Sequence, residues 1–307
     1  MIRTARLKAF AKLNLSLRVL SRRPDGYHEI RTVFQTISLA DRLDVSFRRA
    51  RATRVEIEGT PDITDNLAER AARLVLEILE IPGEVRCLLR KQIPRGAGLG
   101  GGSSDAAAVL LALPVLAGKN LSPEQLSGLA GQLGSDVPFF LHGGTALGLG
   151  RGEELYPLPD RPAANGLLVA SEVHSSTAEA YRDLSPRLTS IPVQNKLISF
   201  QQEVWRQEAG LNDFEEVVFA RYPELSRIKN RLRRLGADPA AMTGSGSAVF
   251  GIFQNRNHVD RAAKSFPVDT AFAISFLSRS DYRAAWQRAL KLHTKGDLWP
   301  PRSLYAR

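Results

Sequence analysis

The chain has 307 residues, 43 % of them hydrophobic and 24 % charged, enough for a real core and for two domains of roughly 100–200 residues each. The 42 basic residues against 32 acidic ones give a formal charge of +10, which favours an anionic partner (nucleotide, nucleic acid or anionic lipid) or simply a solvated basic surface. One cysteine, Cys87, excludes an intrachain disulfide and a cysteine metal site, and the longest apolar run, Ala106–Leu116, is broken by Pro114 and too short to span a bilayer.

Residues Phe10–Leu20 alternate, with Leu13, Leu15, Leu17 and Val19 on one face and Lys12, Asn14, Ser16 and Arg18 on the other. Period two predicts a half-buried strand, so Lys12 and Asn14 point together toward solvent or a cleft. Pro24-Asp25-Gly26 predicts a turn. Further strands are expected at Thr32–Leu39, Leu43–Phe47 and Val55–Glu58. A helix is expected from Asp65-Asn66, with an apolar stripe of Leu67, Ala71, Leu74, Val75, Ile78 and Leu79.

After a strand at Val85–Leu89 comes a glycine-rich loop, Pro94–Ser104, running into an Ala-rich helix at Asp105–Leu113. Ser122, Pro123 and Gln125 make a capping-box start for another helix. Pro157, Pro159 and Pro162 mark a domain boundary, and Leu167–Ala170 is a strand candidate. A basic amphipathic helix follows, its apolar side formed by Leu225, Ile228, Leu232 and Leu235, and Gly236 ends it. Thr243-Gly244-Ser245-Gly246-Ser247 is a second glycine-rich turn leading into Ala248–Phe253. Strands and helices alternate irregularly, which predicts an α+β fold. The residues after about 292, rich in Pro, Arg and Lys, read as a mobile basic tail.

The loop Pro94-Arg95-Gly96-Ala97-Gly98-Leu99-Gly100-Gly101-Gly102-Ser103-Ser104 is the strongest local signal. Its five glycines let the backbone approach a ligand and aim several N–H groups one way, and the helix start behind it favours phosphate. Gly96, Gly98 and Gly101 match the dinucleotide fingerprint literally. The context does not: Lys91, Gln92, Pro94 and Arg95 separate strand from glycines, and no acidic residue stands at a second strand end. The absence of a Lys-Ser/Thr pair after the glycines excludes a Walker loop. The turn Thr243–Ser247 is a candidate second wall of the same phosphate pocket.

Taken together, these motifs resemble the galactokinase–homoserine kinase–mevalonate kinase–phosphomevalonate kinase superfamily. Ala11-Lys12-Leu13-Asn14-Leu15, Arg23-Pro24-Asp25-Gly26-Tyr27-His28, Leu133–Phe140 and Thr243–Phe250 are similar, within it, to the 4-diphosphocytidyl-2-C-methyl-D-erythritol kinase family of the non-mevalonate isoprenoid pathway. The resemblance runs from about residue 9 to 280. It implies a two-domain kinase fold with the active site in the cleft between domains: residues 1–160 binding ATP and 161–307 completing the site, the latter ending in the basic tail from about 292.

It also implies phosphorylation of the 2-hydroxyl of the cytidine-diphosphate ester of methylerythritol, with ATP and Mg²⁺. The start, Met1-Ile2-Arg3-Thr4-Ala5-Arg6-Leu7-Lys8, lacks a long apolar stretch, so a cytoplasmic protein with no membrane and no nucleic-acid partner is expected. By position the resemblance gives Lys12 and Asp136 as the catalytic pair, Asn66 by the adenine, and Asn14, Tyr27, His28, Thr177, Tyr181, Gly244 and Ser245 on the substrate side. Ser135 stands where the family more often has Ala, and Arg182–Gln207 departs from its pattern.

The residues themselves allow two divisions of labour. Asp136 can take the proton of the attacked hydroxyl, with Lys12 favouring its charged form and stabilising the attacking oxygen, or Lys12 can carry the main role with Asp136 orienting it. The metal's ligands are not legible. A rival of another class is a basic nucleic-acid-binding protein, supported by Arg227, Lys229, Arg231, Arg233 and Arg234 on one helix. Dispersed basic residues, 7 % aromatics and the lack of a recognition motif argue against it.

Overall fold

The structure is a computed structural model, and it describes residues 1–60, 64–173, 175–185, 209–267 and 270–306. The first half opens with two long strands, β1 (Arg3–Arg22) and β2 (His28–Arg49), paired antiparallel across the turn at Pro24–Gly26. The two strands expected at Thr32–Leu39 and Leu43–Phe47 are one continuous 22-residue strand. Then come β3 (Arg54–Glu58), α1 (Leu67–Ile78), β4 (Gly83–Arg90), α2 (Gly101–Ala117), α3 (Pro123–Leu133), α4 (Val137–Phe140), β5 (Thr145–Leu149) and β6 (Glu154–Pro157).

The second half supplies β7 (Asn165–Val169), α5 (Thr177–Leu184), β8 (Leu211–Asn212), α6 (Phe214–Arg221), α7 (Pro223–Arg234), β9 (Ala240–Met242), β10 (Val249–Phe253), α8 (Arg256–Ala263), β11 (Ala271–Ser275) and α9 (Arg279–Leu290). Two sheets result. One follows the path β3-β4-β2-β1-β8, with β5 on β2 and β6 on β5; the other is ordered β11-β7-β10-β9. This is the α+β arrangement expected from the irregular alternation. The short β8 lies parallel to β1 at Ser16 and Leu17, so the second half contributes directly to the first sheet.

Three apolar clusters hold these layers. One packs α1–α4 and α9 under the first sheet, a second fills the other domain, and a third lies between the sheets with Leu13, Leu15, Leu99, Leu168, Ala241 and Phe250. The face of β1 that carries Lys12, Asn14 and Ser16 is buried as well, where a half-buried strand was expected. The reason is local: Phe34 and the glycine loop lie against Lys12, with its Nζ 5.3 Å from the Phe34 ring. The β1–β2 register shifts between Phe10 and Lys12 and again between Asn14 and Ser16. Such irregularities re-aim side chains, and here they bracket the two polar residues.

Helix α1 is capped by Asn66 but buries Ala68, Ala71, Ala72, Val75 and Leu76, leaving Ile78 exposed. Small residues face α2 because α2 is itself Ala-rich, and close approach of two helices needs short side chains there. Helix α2 begins at Gly101, four residues before the expected Asp105, so glycines read as loop already form its first turn. Low helix propensity is overridden by burial of nearly the whole helix. Helix α3 carries the expected capping box from Ser122 and Gln125. On α7, Lys229 pairs with Glu215 and Arg231 lies over Phe266, so part of its basic face is engaged within the fold.

The C-terminal segment is tied down rather than free. His293 Nε2 donates to the Thr4 carbonyl at 2.9 Å, Trp299 Nε1 to Leu141 O at 3.0 Å, and Ser303 Oγ to Val115 O at 2.9 Å. Arg3 stacks its guanidinium 3.8 Å above the Tyr305 ring. The expectation of a mobile tail rested on composition alone, which does not register pairing with residues nearly 300 positions away.

Candidate active site

A cavity of about 1180 Å³ opens between the two halves. Its floor is β1. Lys12 is 3 % exposed, and its Nζ donates to Asn14 Oδ1 at 2.5 Å and lies 3.5 Å from Asp136 Oδ2. Burial lowers the Lys12 pKa, and the neighbouring Asp136 carboxylate opposes that shift. Asp136 precedes α4, and its side chain makes no capping hydrogen bond there, so the carboxylate is available to the cavity. Among the described residues it is the one carboxylate that lines the cavity.

Asn14 is held from three sides. Its backbone N–H donates to Thr243 Oγ1 at 2.9 Å, and its Nδ2 donates to Thr32 Oγ1 at 2.7 Å, whose own proton goes to Ser16 O. The turn carrying Thr243 is fixed in turn by Asn212, whose Nδ2 donates to Met242 O and Gly244 O, each at 2.8 Å. Thr32 and Asn212 were not among the sequence candidates. Neither has a local motif to betray it, since each acts on residues far away in the chain.

The glycine loop forms one wall. Gly98, Gly100 and Ser103 line the cavity. Gly100 caps α2 in the left-handed region with no side-chain cap, so the first N–H groups of the helix remain open to a ligand. Gly98 has φ +76°, and a Cβ there would meet the Thr243 carbonyl oxygen at 2.2 Å, so the two glycine turns touch backbone to backbone. Ala97 and Leu99 are buried in the inter-sheet core, and Ser104 Oγ donates to Phe10 O at 2.7 Å, so this part of the loop holds shape. Pro94, Arg95, Gly96, Gly101 and Gly102 do not line the cavity. Asn66 does not line it either: Oδ1 caps Ala68 N and Nδ2 donates to Thr60, while the adjacent Leu67 lines it.

The opposite end is aromatic. The His28 and Tyr181 rings are parallel at 4.5 Å, and Phe214 meets Tyr181 edge-on at 4.8 Å. His28 Nε2 sits 2.8 Å from Ser185 Oγ. Burial lowers the His28 pKa and Arg22 adds to the shift. Burial pushes Tyr181 up to about 12, with Asp136 adding. Tyr27 is 56 % exposed, with the Arg151 guanidinium 4.8 Å over its ring. Thr177 Oγ1 and Ser245 Oγ are 2.7 Å apart, and with Gly244 they complete the lining on the second-domain side. The cations Arg22, Arg151 and Arg182 also line this end. Sequence reading passed over them because isolated arginines in a basic chain carry no pattern. Of the stretch Arg182–Gln207, residues 186–207 lie outside the described residues.

Known proteins resemble this chain in sequence and fold. The GHMP kinases N terminal domain matches residues 66–144, and the GHMP kinases C terminal domain matches 198–267. The 4-diphosphocytidyl-2-C-methyl-D-erythritol kinase of Solibacter usitatus (strain Ellin6076) is 55 % identical over 310 residues, covering 99 % of this chain and 98 % of that one. The chain belongs to the 4-diphosphocytidyl-2-C-methyl-D-erythritol kinase family. The enzyme of that name from Moorella thermoacetica (strain ATCC 39073 / JCM 9320) is 46 % identical over 256 residues, covering 80 % of this chain and 89 % of that one.

A crystal structure of 4-(cytidine 5'-diphospho)-2C-methyl-D-erythritol kinase superposes with a TM-score of 0.73 at 41 % identity, covering 90 % of this chain and 99 % of that one. The L. major mevalonate kinase in complex with R-mevalonate superposes at 0.65 with 17 % identity, covering 90 % and 97 %, and shows the fold alone. The chain is therefore a kinase of the GHMP fold, with the N- and C-terminal domains of that superfamily.

Proposed function

We propose that the chain transfers the γ-phosphoryl group of ATP to the 2-hydroxyl of 4-diphosphocytidyl-2-C-methyl-D-erythritol, releasing ADP, in the cytoplasmic synthesis of isoprenoid precursors. One observation carries this reading. A single cavity holds an open helix N-terminus, a lysine–carboxylate pair and a two-ring stack. Its volume of about 1180 Å³ exceeds the ~300–1,000 Å³ usual for one small ligand, as two nucleotide-bearing substrates would need.

The phosphates of ATP lie against Gly98, Gly100 and Ser103, where the N–H groups and dipole of α2 meet their charge. The cytosine ring joins the His28–Tyr181 stack, and Arg22, Arg151 and Arg182 face the diphosphate. The acceptor hydroxyl comes to rest between Lys12 and Asp136. Asp136 takes its proton as the oxygen bonds to the γ-phosphorus and the bond to the β–γ bridging oxygen breaks, so ADP leaves with that electron pair. Lys12, fixed by Asn14, stabilises charge on the attacking oxygen.

Among the described residues no group of three or more His, Cys, Asp or Glu gathers to bind a metal. This donor set fits a Mg²⁺ that arrives on the nucleotide. Phosphate oxygens would hold most of its shell, and among the described lining residues Asp136 is the carboxylate able to join it, the ion supplying charge neutralisation on the phosphates.

The test offers the purified protein Mg-ATP with the cytidine ester, with mevalonate and with homoserine, and follows ADP. Release with the cytidine ester alone is expected. Release with a small alcohol alone would sink the reading of the aromatic end.

A further inference from the structure

Beneath the glycine loop lies a charged cluster that the chemistry above does not use. Lys91 follows β4, and its Nζ pairs with Asp41 on β2 and, at 2.7 Å, with Asp105 in the second turn of α2. Asp41 is fully buried and Asp105 is 2 % exposed. Asp41 Oδ1 also accepts the N–H groups of Gln92 at 2.5 Å and Ile93 at 2.8 Å. The cluster thus joins the entry of the loop, Lys91–Ile93, to its exit on α2. A Cβ built on Gly101, the first residue of that helix, would stand 3.3 Å from Lys91 Nζ. The ammonium therefore abuts the helix start on the side away from the cavity.

Two buried carboxylates sit behind a site built for anions. Left without a cation they would repel the phosphates and one another. We propose that Lys91 is a positioning residue for the nucleotide: it neutralises Asp41 and Asp105 and clamps the two ends of the glycine loop, so that the helix start meets phosphate preformed and positive. The proposal rests on the reading of that loop as the phosphate cradle. Lys91 acts through the loop and touches neither substrate.

The balance of the cluster is close. With both acids ionised it carries one net negative charge, and Asp105 Oδ1 has no hydrogen-bond partner. Burial pushes Asp105 up to about 7, with Lys91 opposing and Asp41 adding. Lys91 itself is held above its ordinary value, Asp105 and Asp41 outweighing its burial. Cys87 on β4 also faces Asp105, pushed up to about 12 by burial with Asp105 and Asp44 adding. Apolar residues of α1, α3 and α4 pack in the same core, Ala68, Ala71, Leu129, Ala130, Phe139 and Phe140 among them. As pH rises through neutrality, Asp105 ionises and the cradle turns less favourable to phosphate.

The experiment measures Mg-ADP affinity by direct titration, and KM for ATP and for the cytidine ester, in the unaltered protein and in Lys91→Met, Lys91→Arg, Asp105→Asn and Lys91→Met/Asp105→Asn. Like charges facing each other across a site are costly, so Lys91→Met is expected to weaken ADP binding about tenfold or more. KM for the cytidine ester should stay near its original value, Lys91→Arg should recover much of the loss, and the double variant should recover most of it. ADP affinity should fall from pH 6 to pH 8 in the unaltered protein and stay flat in Asp105→Asn.

Unchanged ADP affinity in folded Lys91→Met, or equal losses for both substrates, would overturn the proposal. If Lys91→Met does not fold, the pH comparison with Asp105→Asn decides it, and parallel pH curves would refute it. Failure of the unaltered protein to bind ADP at all would remove the cradle reading itself, an outcome distinct from the others.

Discussion

The side-chain hydroxyl of Thr243 accepts the backbone N–H of Asn14 at 2.9 Å, joining the hairpin of the second sheet to the strand of the first one residue past Lys12's neighbour, Leu13. The contact is fully buried on the Thr243 side. Replacing Thr243 by Val keeps the shape but leaves the Asn14 N–H without an acceptor. That should lower stability by about 1–3 kcal/mol. It should also reduce kcat, because Asn14 positions Lys12. Urea unfolding and steady-state kinetics on the same preparation check both.

The Lys12–Asp136 pair gives the sharpest catalytic prediction. Asp136→Asn keeps the size of the side chain and removes its capacity to accept a proton. Turnover should fall by about 10²–10⁴, the usual contribution of general base catalysis. Lys12→Met should also lose about 10²–10³ in kcat, as loss of an oxyanion-stabilising donor does elsewhere. Near-normal turnover in Asp136→Asn would leave Lys12 with the main role.

The stack at the far end predicts a KM effect instead. Replacing Tyr181 by Leu removes a stacking surface worth about 1–3 kcal/mol per base, so KM for the cytidine ester should rise with kcat nearly unchanged. Tyr181→Phe should behave almost as the original. The His28 pKa is depressed by burial and by Arg22, so folding favours the neutral ring. The stability this ring contributes is complete above its ordinary pKa of about 6.5 and is lost as pH falls through the depressed folded value. KM for the cytidine ester should accordingly be flat above neutrality and rise on acidification, and His28→Gln should flatten the acidic limb.

Much of this was legible in the chain and some was not, for physical reasons. The alternation around Lys12 and Asn14 placed both on one face of a strand, and the glycine run marked the loop that supplies one wall of the cavity. Local pattern could not show that α2 starts inside that run, because burial overrode the low helix propensity of Gly101 and Gly102. Nor could it show Thr32, Asn212 or the Lys91–Asp41–Asp105 cluster, whose partners lie 14 to 50 positions away. The C-terminal segment was misjudged for the same reason: Pro, Arg and Lys read as a solvated tail, but its contacts are with Thr4, Val115 and Leu141.

That segment makes its own prediction. Ending the chain at Leu292 removes the bonds to Thr4, Leu141 and Val115, which lie away from the cavity. The melting temperature should drop by several degrees, while kcat and both KM values, measured well below it, should hold. A matching loss of kcat would show that the segment supports the site as well as the fold.

Gly98 tests the contact between the two glycine turns. At φ +76° a side chain is strained, and its Cβ would stand 2.2 Å from the Thr243 carbonyl oxygen, a backbone atom that cannot rotate away. Gly98→Ala should cost about 1–3 kcal/mol of stability as an overpacked site does, and nucleotide affinity with it. Thermal melts with and without Mg-ADP read both, the ligand-induced shift shrinking with the affinity.

The measurement that bears most directly on the central claim is phosphorus NMR of the products formed from Mg-ATP and 4-diphosphocytidyl-2-C-methyl-D-erythritol. The account predicts ADP and one new phosphomonoester on carbon 2 of the erythritol, with the cytidine diphosphate bridge intact. A monoester on another carbon, a cleaved diphosphate, or phosphate appearing on water alone would contradict it.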